Sequence, residues 1–486
     1  MNQEIRELEP KVLWNKFADL NAVPRPSKKE EQVIAFMKKF GEDLGLETVV
    51  DAVGNVIVRK PATPGMEDRK AVVLQSHLDM VHQKNADVDF DFDTQGIEMY
   101  IDGDWVRAKG TTLGADNGLG VATIMAVLES TTIQHPALEA LFTIDEETGM
   151  GGAFGLKGGL LNGDILLNLD TEEDDEIGVG CAGGIDITAT KTYTEETTPE
   201  GTVGYTIEIK GLNGGHSGMD IIKGLGNANV FMNRLLFKGY EKYGLRVSSI
   251  KGGSLRNAIP RESFATIVVD KGHSVSFENE LAVEVARIKA EYSSLEADLE
   301  VIISEIPLPE KVMDLGAQEN AIKSIYAALN GVHRMSPDIE GLVETSNNIA
   351  IIIIADGEAT VMCLTRSSVD SNKDDLANKL TSCFELGGFE VELSGSYPGW
   401  TPNMNSSIVK LTAEVYKKIN GEEANVAACH AGLECGILGT HYPEMEMVSF
   451  GPTIKGAHSP DERACISSAQ KYWNFFLEVL KETPKK

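Results

Sequence analysis

Two histidines and several carboxylates, each placed just after a short apolar run, have the chemistry to hold divalent metal ions. Residues 72–81 read VVLQSHLDMV, where 72–75 suit a short buried strand leading into Ser76-His77-Leu78-Asp79. His77 and Asp79 are two apart, so on an extended backbone they point to the same side. A histidine held by a carboxylate at the carboxyl end of a parallel strand is a common way to build a metal ligand and its supporting partner. Similar polar residues close other runs: Asp116 in GTTLGADNG, Glu146 and Glu147 after 137–143, Asp170 after 164–169, and His458 in GAHSPDE. With imidazoles and carboxylates but no thiols, this set suits zinc, manganese or cobalt rather than an iron–sulfur or copper site. Two adjacent ions need more ligands than one, and a carboxylate can bridge them.

The elements that must position these residues alternate. Leu13, Trp14, Phe17 and Leu20 fall at helical spacing, Pro24 and Pro26 interrupt the chain, and Ser27-x-x-Glu30 reads as a capping box opening a helix to residue 44. Residues 47–53 and 55–59 read as a strand pair around Gly54-Asn55, and 99–101 with 105–108 as a hairpin around Asp102-Gly103-Asp104. A small-residue helix follows Asp116, over 119–128, and strands recur at 137–143 and 164–169. Such alternation predicts an α/β protein with a mixed, mostly parallel sheet and helices on both faces, its ligand site beyond the carboxyl ends of the strands.

From about residue 187 the character changes to α+β: strands at 202–210, 263–270, 348–354 and 360–366, and helices at 225–236, 277–292 and 374–386. Two stretches within it, GGSLRNAIPRESFATIVV and GLVETSNNIAIIII, both pass from glycine through an asparagine turn (Asn257, Asn347) into a β-branched strand, which hints at two related halves. Helical and glycine-rich α/β character returns after Tyr397-Pro398-Gly399-Trp400. The expected organisation is one α/β domain built from 1–186 and 397–486, with an α+β domain inserted at 187–396.

The totals narrow the class. A length of 486 residues allows two to four domains. Hydrophobic and charged contents of 42% and 24% are those of a soluble globular protein, and no run approaches the roughly 20 apolar residues of a membrane span. The opening MNQEIRELEPKVLW has neither the apolar core nor the cleavage site of a secretory signal. Six cysteines without a C-x-x-C pair make neither a disulfide framework nor a thiolate metal site, so a reducing cytoplasm is expected. A formal net charge of −30 excludes nucleic acid as a partner, because phosphate binding needs Lys and Arg.

SHLDMV, GTTLGADNG, DEETGMGGAFGL, GGHSGMDI, LRNAIPRE, HAGLECG and GPTIKGAHSPDE, in this order, resemble the co-catalytic zinc peptidases, the family that includes aminoacyl-histidine dipeptidase, carnosinase and acetylornithine deacetylase. The resemblance covers nearly the whole chain and is strongest to the bacterial Xaa-His dipeptidases. It implies two divalent ions per subunit, zinc first, with cobalt or manganese as alternatives. By resemblance His77 binds one ion and His458 the other, Asp116 bridges them, and Glu147 and Asp170 each complete one shell. Asp79 orients His77, and Glu146 is the general base. Asp116 would also be steadied by free backbone N–H groups at the start of its helix.

In the insert, the resemblance makes His216 a donor to the tetrahedral oxyanion. Asn257 and Arg366 would face the substrate, Arg366 pairing with its C-terminal carboxylate. Glu434 would receive the substrate ammonium, with His430 and Gly432 shaping that wall. These roles imply hydrolysis of unblocked dipeptides, Xaa-His and carnosine-like ones preferred, since clamping both charged ends excludes longer chains. They also imply closure of the insert as a lid and a homodimer formed through it. The alternatives are a tripeptidase, aminoacylase or N-acyl deacylase on the same scaffold, or a metal- or peptide-binding protein without turnover. An intact Glu146 speaks against the last, because binding alone needs no proton shuttle.

Overall fold

The computed structural model describes residues 2–486. The chain divides into two compact units, Met1–Gly180 with Trp400–Ala428 and Leu433–Lys486, and Cys181–Gly399 with Cys429–Gly432. The first unit is built on an eight-stranded sheet, in the order Glu47–Val50, Val56–Lys60, Leu138–Thr143, Val72–His77, Ile165–Asn168, Glu446–Ser449, Glu176–Cys181, Asn425–Cys429. Its four central strands, from Leu138–Thr143 to Glu446–Ser449, run parallel. Antiparallel pairing is confined to the flanks, at Glu47–Val50 with Val56–Lys60, Val56–Lys60 with Leu138–Thr143, and Glu446–Ser449 with Glu176–Cys181.

The parallel strands are covered on both faces, which is why they read as continuous apolar runs. Ile57, Val73, Leu141, Leu166 and Met447 pack on one face with Ala153, Leu156, Ile437 and Leu438 from short glycine-rich helices. Alternate residues Leu74, Ala140, Leu167 and Val448 are buried on the other face. There the helix Ala115–Glu129 lies on the strand Val72–His77, with Lys11–Leu20 stacked on it. Ala115–Glu129 is apolar nearly all round, as a helix enclosed by sheet and helices must be. The first residues of that segment are not helical: Asp116 and Asn117 depart from helical dihedrals, so Asp116 is presented on an irregular turn.

Two further local features place site residues. His458 sits in the turn between Ile454–Lys455 and Arg463–Cys465, which pair with each other, and Arg463–Cys465 pairs with Trp105–Ala108 in a small antiparallel sheet. The expected capping box does not form. The helix starts at Glu31 with no side-chain cap, and the Ser27 hydroxyl instead donates to Asp79 Oδ2 (2.8 Å). A buried carboxylate has no water to turn to, whereas a helix end near the surface does.

The second unit is a nine-stranded sheet whose pairs are antiparallel. Arg246–Gly252 pairs with Val343–Ala355 where two sets of strands meet, one carrying Ala228–Tyr243 and Ser274–Glu291, the other Asp370–Leu386, with Leu315–Ala327 packed against both Ala228–Tyr243 and Asp370–Leu386. These helices bury one sheet face in a single core. Gly120 tests how tightly the site-bearing helix of the first unit is seated. A Cβ there would lie 2.2 Å from Asn117 Oδ1 and 2.6 Å from the Leu169 carbonyl. Gly120→Ala is expected to destabilise the fold by about 1–3 kcal/mol, read as a lower urea midpoint, while Gly316→Ala in the helix Leu315–Ala327, where a Cβ would meet nothing nearer than 3.5 Å, does not lower it.

Candidate metal centre and substrate residues

At the carboxyl ends of the central strands, His77 and the residues beyond it converge. His77 Nε2 is 3.2 Å from Asp116 Oδ1 and 3.6 Å from Asp170 Oδ1. His458 Nε2 is 3.2 Å from Asp116 Oδ2 and 2.9 Å from Glu147 Oε2. Asp116 therefore turns one oxygen to each histidine and is shared by two groups able to hold a metal, His77–Asp116–Asp170 and Asp116–Glu147–His458. Glu146 lies with His77 and Glu147 in a third.

Asp79 is fully buried and braces this cluster. Its Oδ1 is 3.4 Å from His77 Nδ1 and accepts the Glu146 N–H at 3.0 Å, and its Oδ2 accepts the Glu147 N–H at 3.3 Å. One residue thus orients the histidine, with its carbonyl 3.1 Å from His77 Nδ1 as well as its carboxylate nearby, and its side chain holds the turn that carries both glutamates. Burial alone would raise the Asp79 carboxyl, but His77 and these donors hold it below its usual range.

The N–H groups expected to steady Asp116 are taken by another carboxylate. Glu462 Oε2 accepts from Leu113 (2.7 Å) and Gly114 (2.9 Å), and Oε1 from Ala115 (2.7 Å) and Asp116 (3.2 Å). The side chain of Asp116 is left to face the histidines, because the backbone turn aims its N–H groups away from its own carboxylate.

The cluster concentrates negative charge. Burial pushes Glu146 and Asp170 well above the carboxylate range, with neighbouring carboxylates adding to the shift and His77 opposing it. Asp116 and Glu147 push His458 up to about 11. Burial opposes protonation of His77, but Asp170, Asp116 and Asp79 raise it well above the usual value. The imidazoles thus act as the positive charges this pocket lacks. Glu147 Oε1 is buried with no hydrogen-bond partner. An unpartnered carboxylate oxygen beside shared oxygen and nitrogen donors fits divalent cations.

Glu434 is fully enclosed in the same unit. Its Oε2 accepts from Gln75 Nε2 and Thr143 Oγ1, both at 2.6 Å, while Oε1 has no partner. Burial pushes this carboxyl up to about 7.

The remaining expected residues gather in the second unit. His216 lies in the two-residue strand Gly215–His216, paired with Ala258–Ile259. Its Nδ1 accepts the N–H groups of Gly218 (3.2 Å) and Met219 (3.1 Å), and its Nε2 lies 3.4 Å from Arg366 Nη2. Arg366 is 4% exposed, donates from Nη1 to Tyr397 OH (2.9 Å) and from Nε to Ser217 Oγ (3.3 Å), and has no carboxylate within ion-pair distance among the described residues. Asn257 is exposed next to this ribbon, its carbonyl accepting the Ser217 N–H at 2.8 Å. His430 pairs through Nε2 with Ser346 Oγ at 2.8 Å, and its carbonyl abuts Gly218, where a Cβ would come within 1.9 Å. Gly432 closes the short segment Cys429–Gly432 that carries His430.

The model of peptidase family M20/M25/M40 matches residues 73–482, a span that contains all the candidate metal-ligating and substrate residues. The chain belongs to peptidase family M20/M25/M40. It is 44% identical over 483 residues to the cytosol non-specific dipeptidase of Escherichia coli K12, covering 99% of this chain and all of that protein. The structure of aminoacylhistidine dipeptidase from Vibrio alginolyticus is 45% identical, covers 100% of this chain and 99% of that one, and superposes with a TM-score of 0.93. A tripeptidase from Staphylococcus aureus, 17% identical over 98% of both chains with a TM-score of 0.57, shares the fold.

In this M20/M25/M40 peptidase, several residues that matter locally had no signal of their own in the sequence. Tyr397 touches Arg366, and its strand partner Gly184 leaves room for it, since a Cβ there would meet the Tyr397 hydroxyl at 2.7 Å. Gln75 and Thr143 read as strand residues, although their side chains hold Glu434. Glu462 stood inside a quoted motif as a charge next to His458.

His430 gives a pH signature. Burial, with Arg366 and His216 nearby, lowers it from 6.5 to about 3. The unfolded chain takes up a proton below 6.5 that the folded chain refuses until about 3, so this histidine's contribution is present above 6.5 and lost as pH falls toward 3. His430→Gln is expected to flatten the fall of the urea midpoint between neutral and mildly acidic pH relative to the native chain. An unchanged slope would show that His430 titrates normally.

Proposed function

We propose that this chain is a two-metal dipeptidase of the cytoplasm that hydrolyses unblocked dipeptides, Xaa-His substrates preferred. The observation that carries the reading is Asp116, whose two oxygens each face a different histidine. His77, Asp116 and Asp170 would hold one divalent ion, and Asp116, Glu147 and His458 the other. Zinc is the ion proposed, and cobalt or manganese suit the same donors. When bound, such ions make a water acidic near neutral pH and polarise the scissile carbonyl.

The chain's own groups then divide the work. Glu146 takes the proton of the attacking water and delivers it to the leaving amine. Asp79 keeps His77 and the Glu146–Glu147 turn in register. His216 donates from its ring to the oxyanion. Arg366, a buried guanidinium with only neutral partners, takes the substrate's C-terminal carboxylate. Asn257, His430 and Gly432 line the substrate, and the unpartnered Oε1 of Glu434 receives its ammonium. Holding both charged ends rejects longer or acylated substrates, because a buried charge would be left unpaired. The names of the Escherichia coli and Vibrio alginolyticus relatives, both dipeptidases, support this substrate class.

The same reading places the second unit as a lid and as the contact of a homodimer. In its sheet Ile302, Glu208, Phe264, Lys251 and Ile353 lie opposite one another in register on adjacent strands, so they share a face. Ile302, Phe264 and Ile353 are exposed there.

Three outcomes are expected. Metal-stripped protein given back zinc cleaves Ala-His and carnosine but neither a tripeptide nor an N-acetyl amino acid, and Glu146→Ala lowers kcat by about 10²–10⁴-fold with zinc still bound. Arg366→Met raises KM for free dipeptides by roughly 10–100-fold, the worth of a hydrogen bond to a charged group. Phe264→Asp shifts the protein from dimer to monomer by light scattering. Cleavage of the acetylated compound alone would move the activity to a deacylase, and two bound ions without turnover would leave only binding.

A further inference from the structure

Arg25 lies between Pro24 and Pro26 and is 1% exposed. Its Nη1 donates to the carbonyls of Leu78 (3.0 Å) and Asp79 (3.2 Å). Its Nη2 donates to Asn21 Oδ1 (3.0 Å) and to the carbonyl of Gly114 (2.5 Å). One guanidinium therefore joins the turn after His77 to the turn before Asp116. The second turn is held from its other edge by Glu462, 2% exposed, which accepts the N–H groups of residues 113 to 116. Asn21 Nδ2 completes the frame by donating to the Leu113 carbonyl at 3.0 Å.

The two opposite charges meet on one residue: the N–H of Gly114 goes to Glu462 and its carbonyl to Arg25. This explains two glycines of GTTLGADNG. Gly114 has φ +68°, and a Cβ on it would lie 2.5 Å from Arg25 Nη2; a Cβ on Gly118 would lie 2.7 Å from the same atom. Glu462 also follows His458 by four residues, so the turn carrying that histidine is tied to the Asp116 turn through the same carboxylate.

Irregular backbone in a buried place must find partners for its N–H and carbonyl groups. Neutral side chains could supply some of them. A guanidinium fork reaching three carbonyls and a carboxylate collecting four N–H groups supply stronger, directional bonds. Their charges bring no stability by themselves, since buried ion pairs often break even with apolar replacements. What they add is a fixed relation among three segments that each end in a proposed ligand.

We propose that Arg25 and Glu462 are positioning residues that set the spacing of His77, Asp116 and His458 before a cation binds. The proposal rests on the metal-ligand reading above and goes beyond it, because neither residue touches the ligand atoms. Zinc binding by the native chain reports on that reading, and the variants report on this one.

The test uses the full chain with Arg25→Met, Arg25→Lys and Glu462→Gln. Zinc affinity is measured by competition with a chromogenic chelator, and amide exchange over 111–118 is followed in metal-free protein. Positioning predicts that Arg25→Met and Glu462→Gln both weaken zinc binding, by roughly 10–100-fold as for other residues behind metal ligands. Arg25→Lys, which keeps the charge and loses the fork, is expected to weaken it as well. All three should speed exchange of the 113–116 amides before any metal is added. Charge alone predicts opposite signs: loss of Arg25 would tighten cation binding and loss of Glu462 would loosen it. That pattern, or native affinity with native amide protection in Glu462→Gln and Arg25→Lys, would overturn the proposal. If Arg25→Met does not fold, the other two variants decide it.

Discussion

Four carboxylates and two imidazoles crowded together, His77 buried, the carboxylates half-buried and His458 exposed, set the terms for the rest of the first unit. Asp116, Glu146, Glu147 and Asp170 repel one another, and burial strengthens the repulsion. They are kept together by the strand ends and turns that carry them and by donors brought from a distance. Ser27 and the Glu146–Glu147 amides serve Asp79, four amides serve Glu462, and Arg25 closes the ring through carbonyl groups. The remaining imbalance is what makes the pocket a place for divalent cations.

The second unit presents the reverse imbalance. Arg366 is a buried positive charge whose neighbours are Tyr397, Ser217 and His216 rather than carboxylates. His430 is kept uncharged beside it by burial, so it adds no further positive charge. A buried guanidinium without a carboxylate partner is suited to an anionic group, as the first unit's cluster is suited to cations.

The parallel core explains why so many site residues were legible along the chain. Val72–His77, Leu138–Thr143, Ile165–Asn168 and Glu446–Ser449 are apolar because both faces are covered, and the first polar residues beyond them fall at one edge of the sheet. His77, Glu146, Glu147 and Asp170 follow directly from that rule. Asp116 and His458 do not lie at ends of these strands, and their recognition depended on glycine-rich motifs. Ser27 was misjudged as a helix cap because capping boxes are local patterns, and nothing local reveals that a buried aspartate 52 residues away competes for the same hydroxyl.

The sequence by itself determined the class of fold, the family and the kinds of donor in the candidate metal cluster, because these follow from apolar periodicity and from short motifs whose parts are near one another in the chain. Tertiary structure decided which carboxylate does what. Glu462 rather than Asp116 takes the helix-start amides, Glu434 is enclosed by Gln75 and Thr143, and Arg25 reaches Gly114 across 89 residues. These assignments depend on which groups are denied water and which donors lie within about 3 Å. Both conditions arise only when distant segments pack, so no local reading of spacing contains them.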